Sequence, residues 1–166
     1  MRKIGLISDS HSYIDQAVLD HLKEVDEIWH AGDIGDLDVL THLPKEKALR
    51  VVTGNIDDNE AREKFPEEIW FEIDGLKIGM LHIGGKPPIY AKGVKAKIIE
   101  NGCQLFVCGH SHICKVEFDP KVNCLYMNPG AIGKHGFHVM RTMLLFEITQ
   151  GKLQNLRVVE LGKRAK

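Results

Sequence analysis

Apolar residues along the chain fall into short runs, and several of those runs end on side chains that can do chemistry. Residues 3–8 (KIGLIS) form the first, and a turn follows it. Ile14, Ala17, Val18, Leu22 and Val25 then recur at helical spacing and predict an amphipathic helix. Ser12, followed three residues on by Asp15, is suited to cap its start. Residues 27–31 read as a second strand, 36–43 as a short helix stopped by Pro44, and 48–53 as a third strand. Strands alternating with helices predict parallel pairing through right-handed crossovers. The middle changes character: residues 69–73 and 76–81 flank Asp74-Gly75 and predict a hairpin. Residues 94–100 read as a helix closed by Asn101-Gly102, and 104–108 as a buried strand. From Lys115 onward strand follows strand, with turns at 119–121 and 150–151. The expectation is an α/β chain, mostly antiparallel at the back, forming one domain over residues 1–166.

Composition narrows the function. Lys and Arg total 22 against 23 Asp and Glu, a net charge of -1, so there is no basic footprint for nucleic acid. No apolar run approaches the ~18 residues of a membrane helix. The first run ends at Asp9, too early for a secretory signal, so no membrane partner is expected. Cys103, Cys108, Cys114 and Cys124 form no C-x-x-C pair. They read as reduced thiols of a cytoplasmic protein. Nine histidines is an abnormally high number, and it directs attention to metal chemistry.

Five strand candidates finish on metal-capable side chains. These are Asp9-Ser10-His11, Asp33, Asn55, His82 and His110-Ser111-His112, and a glycine directly precedes Asp33, Asn55 and His110. Sites in α/β sheets form outside the carboxyl ends of the strands, so five such ends converge on one crevice. In extended chain, residues i and i+2 point to one side. On that basis Asp9 with His11, and His110 with His112, each present two ligands to one place. Seven ligands are too many for one tetrahedral ion and suit two divalent ions sharing a carboxylate. Nitrogen and oxygen donors without thiolate favour manganese, iron, zinc, nickel or cobalt over calcium or magnesium; manganese is the expected occupant. Such a pair clamps phosphoryl oxygens, and a bridging hydroxide formed from water attacks in line.

The ordered set D-x-H, G-D, G-N-x-D, an isolated His and then G-H-x-H resembles the calcineurin-like metallophosphoesterases. It stands here as Asp9-Ser10-His11, Gly32-Asp33, Gly54-Asn55-Ile56-Asp57, His82 and Gly109-His110-Ser111-His112. With Asn128-Pro129-Gly130 and the short length, it looks like the small bacterial and archaeal phosphodiesterase branch. The resemblance implies a four-layer α-β-β-α sandwich with two mixed β-sheets. It implies Asp9, His11 and His112 on one metal, Asn55, His82 and His110 on the other, Asp33 bridging, and Asn55 as the catalytic position. Many members carry a histidine directly after the motif asparagine, where this chain has Ile56, which can neither donate nor accept a proton. Members lacking it lean toward phosphodiesters, so a small phosphodiester is the expected substrate. Ile83 after His82 is a second departure, since the family usually has glycine there. A eukaryotic retromer subunit is similar in fold with a degraded metal site, which makes a protein-binding scaffold the alternative.

The remaining candidates have plainer readings. His21 reads as a packing residue, His30 as core or as a support to the ligands, and His42 as a cation near a helix end. His135 and His138, after the Asn-Pro-Gly loop, are candidates to reach substrate or supply a proton. Asp57 reads as an outer support. Lys92, Lys95 and Lys97 read as a wet helix face, Lys163, Arg164 and Lys166 as a frayed basic tail, and Trp29, Trp70 and Phe71 as core. The antiparallel back strands leave an edge on which a homo-oligomer could form.

Overall fold

The computed structural model describes residues 1–165; Lys166 of the basic tail lies outside them. β1 (Arg2–Ile7), β2 (Glu27–His30) and β3 (Ala48–Val51) pair in parallel, as the alternating pattern requires. α1 (Gln16–Leu22) and α2 (Asp38–Thr41) connect them, and α3 (Asn59–Lys64) follows β3. β4 (Glu68–Ile73) and β5 (Leu76–Leu81) form the expected hairpin, with Asp74 and Gly75 at φ 49° and 88°. A two-stranded ribbon, β6 (Gly85–Lys86) and β7 (Ile89–Tyr90), precedes α4 (Val94–Glu100). β8 (Leu105–Val107), β9 (Cys114–Asp119), β10 (Cys124–Pro129), β11 (Met140–Thr149) and β12 (Lys152–Lys163) complete the chain.

Two five-stranded sheets result, ordered β12-β11-β1-β2-β3 and β4-β5-β8-β10-β9. Each has three parallel strands, β1-β2-β3 in one and β5-β8-β10 in the other, extended by antiparallel neighbours. Their inner faces meet through Ile4, Leu6, Trp29, Ile78, Met80, Leu105 and Phe146. Val18, Leu22 and Val25 cover the outer face of the first sheet, and Val94 and Ile98 pack on Phe106 and Tyr126 outside the second. The architecture is therefore the expected four-layer α-β-β-α sandwich of two mixed sheets. Burial of each large apolar side chain contributes roughly 1.5–3 kcal/mol.

Several local expectations need correction. Asp15 caps α1 itself, accepting from the Val18 N–H at 3.2 Å, while Ser12 sits upstream in a loop and accepts from the Asp36 N–H. Ala17 is exposed, because the helix turns only Val18 and Leu22 fully inward. α3 escapes a periodicity reading because Ala61 is its one buried residue; the Asp58 cap, accepting from the Ala61 N–H at 3.0 Å, was its signal. The back of the chain is mostly antiparallel, as expected, with β10 lying parallel to β8. Trp29 is core, but Trp70 and Phe71 are only half-buried, because β4 is an edge strand. Arg164 is not frayed: its guanidinium donates to the His138 carbonyl at 2.7 Å.

His30 is fully buried and fixes the loop after β1. Its Nδ1 accepts from the Gly32 N–H (3.2 Å), so Nε2–H donates to Ser10 Oγ (2.9 Å), whose hydroxyl donates to the Ile34 carbonyl (2.9 Å). Burial pushes the His30 pKa down to about 4, against ~6.5 in an unfolded chain. The unfolded state therefore takes up the proton first as pH falls. The contribution is full above pH ~6.5 and is lost progressively toward the folded pKa, by up to about 3 kcal/mol. His30→Asn, which keeps an acceptor for Gly32, is expected to flatten the dependence of chemical-denaturation stability on pH over that window. An unchanged slope would remove His30 as its source.

Candidate metal centre

The carboxyl ends of β1, β2, β3, β5 and β8 open toward one rim, and each is followed by its expected side chain. The local geometry differs from the extended pairing expected of D-x-H and H-x-H. Asp9 and His11 have φ 53° and 44°, Asp33 55°, and His110 and His112 73° and 62°. Left-handed turns, not a period of two, swing both members of each pair to one place. Such conformations cost of order 1–3 kcal/mol each in non-glycine residues and persist where the surroundings over-determine them. Two of the preceding glycines serve by their lack of bulk. A Cβ at Gly54 would stand 2.1 Å from Asp33 Oδ1, and one at Gly109 would stand 2.1 Å from Ser8 Oγ.

The side chains form two clusters, Asp9 with His11 and His112, and Asp33 with His82 and His110, the ligand-type atoms in each within 4.8 Å of one another. Asp33 touches both: its Oδ2 is 3.4 Å from His11 Nε2 and 3.2 Å from His82 Nε2. Asp9 Oδ1 is 3.2 Å from His112 Nε2, 3.7 Å from His82 Nε2 and 3.9 Å from His11 Nε2. Asn55 Oδ1 lies 3.1 Å from His110 Nδ1. Asp9 Oδ1, His11 Nε2 and His82 Nε2 are buried without a hydrogen-bond partner. Buried polar atoms are otherwise nearly always paired. Orphaned donors of this kind converging on one point fit divalent cations, and N/O sets of this kind suit transition ions.

Electrostatics agrees with that fit. Burial would raise the Asp33 carboxyl, but His11, His82 and the Ile56 N–H outweigh it and hold it well below the usual carboxylate range. Burial would likewise depress His82, yet Asp33 and Asp9 beside it and the Ala31 carbonyl raise it above the ordinary histidine value. The negative charge that holds a proton on His82 would equally hold a dication.

Neighbours fix how each group is presented. Asp9 Oδ2 accepts from Ser8 Oγ (2.7 Å) and the His110 N–H (3.0 Å), which leaves Oδ1 free. His82 Nδ1–H donates to the Ala31 carbonyl (2.7 Å), which turns Nε2 toward the carboxylates. His138, one of two histidines without a firm role in the sequence, does the same for His112. Its Nε2–H donates to the Gly133 carbonyl (3.0 Å), so its Nδ1 accepts from His112 Nδ1–H (3.3 Å), which turns His112 Nε2 toward Asp9 Oδ1. The signal in the sequence was the His135-Gly136-Phe137-His138 stretch after a glycine-rich loop. His135 stacks on His11 with ring centroids 4.7 Å apart. Asn128, also unassigned, donates to the Gly109 carbonyl (2.9 Å) and Ser111 Oγ (3.0 Å), bracing the His110–His112 loop.

Asp57 is the strongest of these supports. Its Oδ1 accepts from the Ile34 and Gly35 N–H groups (2.8 and 3.0 Å) and its Oδ2 from the Gly54 N–H (2.7 Å). One carboxylate thus ties the Asp33 loop to the Asn55 loop. Supports of this kind typically carry 10–100-fold in metal affinity. Asp57→Asn is expected to weaken divalent-ion binding by about that factor in calorimetric titration. An unchanged dissociation constant would show that the two loops hold their positions without it.

A family model described as the calcineurin-like phosphoesterase superfamily domain matches residues 2–151. A probable metallophosphoesterase of Methanothermobacter thermautotrophicus is 33% identical over 118 residues, covering 66% of this chain and 66% of that protein. One from Methanocaldococcus jannaschii is 31% identical over 137 residues, covering 77% of this chain and 67% of that protein. The matched stretch thus spans about two thirds of these relatives' own length. Among solved structures, Vps29 of Entamoeba histolytica in complex with Zn2+ has a TM-score of 0.69 at 19% identity, over 96% of this chain and 99% of that one. At that identity the likeness is one of fold.

Proposed function

The chain belongs to the calcineurin-like phosphoesterase superfamily, and from that premise we propose that it is a metal-dependent phosphodiesterase of the cytoplasm. The observation that carries this reading is the pair of histidine–carboxylate clusters meeting at Asp33 with buried, unpartnered ligand atoms. In this reading Asp9, His11 and His112 hold one dication, and Asn55, His82 and His110 hold the other, with Asp33 between them. When bound, two such ions neutralise phosphoryl oxygens and lower the pKa of water to near neutrality. Manganese is the first candidate.

The protein's own groups do the rest. Asp33 stays ionised throughout the working pH range, so the site keeps its charge. Asn55, exposed at the rim, offers a carboxamide that can orient a phosphoryl oxygen. Ile56 beside it supplies no proton to a leaving oxygen, which favours esters whose leaving groups depart as stable anions; the choice of diesters follows the lean of family members that lack a histidine at this position.

The test is hydrolysis of bis(4-nitrophenyl) phosphate by metal-stripped protein, with manganese, iron, zinc, cobalt and nickel restored one at a time. Restoration by at least one ion and loss on chelation are expected. Turnover indifferent to chelation would reject the reading. One observation favours a second reading, a scaffold that binds a protein partner. Apolar side chains, Phe137 and Val139 among them, stand exposed around the same rim, on a fold similar to Vps29.

A further inference from the structure

The candidate ligands lie between two clefts of different character that meet at Asn55. One, of about 350 Å³, is mixed: the charged Arg62, Lys92, Lys97, Glu67 and Glu68 line it beside His82, together with apolar side chains such as Leu81 and Val94. The other, of about 570 Å³, runs over His11 and His112 and has an apolar mouth. Ile56 is 45% exposed there, Ile113 65%, Val139 75% and Phe137 100%. Four of the eleven exposed large hydrophobic residues among those described thus crowd one cleft mouth. Scattered apolar residues need no explanation, but a contiguous patch rimmed by polar groups marks a binding surface.

The patch is continuous with the ligand cluster, so whatever covers it reaches the candidate metals. Its chemistry is also specific. Phe137 presents a free ring, and the flat imidazole of His135 lies in the same wall, stacked on His11. The cleft is wide and open rather than a deep channel. A flat ring gains from stacking on one face of such a wall, whereas an alkyl chain needs enclosure on several sides to leave water. Inorganic phosphate or a dimethyl ester would use none of it.

The geometry points to an asymmetric phosphodiester as substrate, with a planar aromatic arm (an aryl group or a nucleobase) against Phe137, Ile113 and Ile56, and a polar arm on the Lys92 side. This rests on the phosphodiesterase reading above and names its substrate class. Lys97 is tied to Glu68 and Arg62 to the Gly54 carbonyl and Glu67, which leaves Lys92, exposed at the cleft edge, as the cation for an anionic group on that arm.

The experiment compares equilibrium binding of adenosine 5′-monophosphate and ribose 5-phosphate to the manganese-supplemented protein by calorimetry. The two share the same anion and differ by the ring. Stacking of one base on one aromatic side chain predicts a preference of about fivefold or more for the nucleotide. Phe137→Ser, at a fully exposed position outside the ligand set, is expected to bring the two affinities within about twofold without changing that of ribose 5-phosphate. Equal affinities in the parent protein, or a preference that survives Phe137→Ser, would overturn the assignment. The two readings fail separately. Metal-dependent hydrolysis with no ring preference removes the aromatic arm and keeps the phosphodiesterase; a ring preference with no hydrolysis under any ion removes the phosphodiesterase, and the substrate assignment with it, and leaves only a cleft that binds a planar ring.

Discussion

Asp33→Asn is expected to lower diester turnover by about three orders of magnitude, equivalent to about 4 kcal/mol of barrier. The same change is expected to lower the bound-metal count from two to one or none. The substitution preserves shape, and the asparagine oxygen still accepts from the Ile56 N–H, which donates to Asp33 Oδ1 at 3.1 Å in the parent protein. What disappears is one negative charge placed 3.4 Å from His11 Nε2 and 3.2 Å from His82 Nε2. That carboxylate lies within 3.4 Å of a histidine of each cluster, so its loss affects both candidate ions, whereas His11→Ala or His110→Ala touches one. Because His82 owes its raised pKa partly to Asp33, the variant should also titrate His82 at lower pH in the metal-free protein, which NMR can follow. A folded variant that retained two ions by elemental analysis and full turnover would end the role of Asp33 between the two ions.

Much of this site was legible because its order is carried by strands. Asp9, Asp33, Asn55, His82 and His110 each follow an apolar run, and parallel strands send their carboxyl ends to a common rim by topology alone. What the sequence could not express was contact between distant segments. His138 lies 26 residues from His112, and its role exists only because Gly133 and His112 flank it in space. Asp57 joins loops 23 residues apart in the chain. The turn geometry was also hidden. D-x-H is compatible with an extended pair or with consecutive left-handed residues, and the crowding of Gly32, Gly54 and Gly109 against the ligands selects the second. The insertion of β11 between β1 and β12 is another long-range fact, since β1 pairs with a strand that begins at Met140. Surface apolar residues such as Phe137 and Val139 look like interior residues in one dimension; only their exposure marks them as a surface feature.

Supports for the ligands follow one rule in three places. His82 donates Nδ1–H to the Ala31 carbonyl, His112 donates Nδ1–H to His138, and Asp9 spends Oδ2 on Ser8 and the His110 N–H. In each case one polar atom is satisfied inside the fold so that the other faces the rim. That arrangement sets basicity and orientation together. It makes the fold a partner in the chemistry, because relaxing any of these bonds frees a ring or carboxylate to rotate away.

Position 56 carries the other large expected effect. The Ile56 side chain borders the cleft that contains Asp33, Asn55 and His110, and it holds no titratable atom. A leaving oxygen there departs without a proton from the protein, so rate should fall steeply as the leaving group becomes more basic. The parent protein should therefore turn over a diester with an aryl leaving group better than one with an alkyl leaving group, by about tenfold or more, since general acid assistance is typically worth ~10²–10⁴-fold. Ile56→His keeps the backbone N–H to Asp33 and adds an imidazole at the cleft wall. For alkyl leaving groups kcat/KM is expected to rise by about tenfold or more, short of the full range because the new ring has no orienting partner. For 4-nitrophenyl diesters the change should be small, since that anion leaves readily without help. A plot of log kcat/KM against leaving-group pKa should accordingly become shallower in the variant. Equal gains for acidic and basic leaving groups would mean that the histidine acts through binding, and parent turnover of alkyl diesters at or above that of aryl diesters would mean that a proton donor other than residue 56 already serves the site.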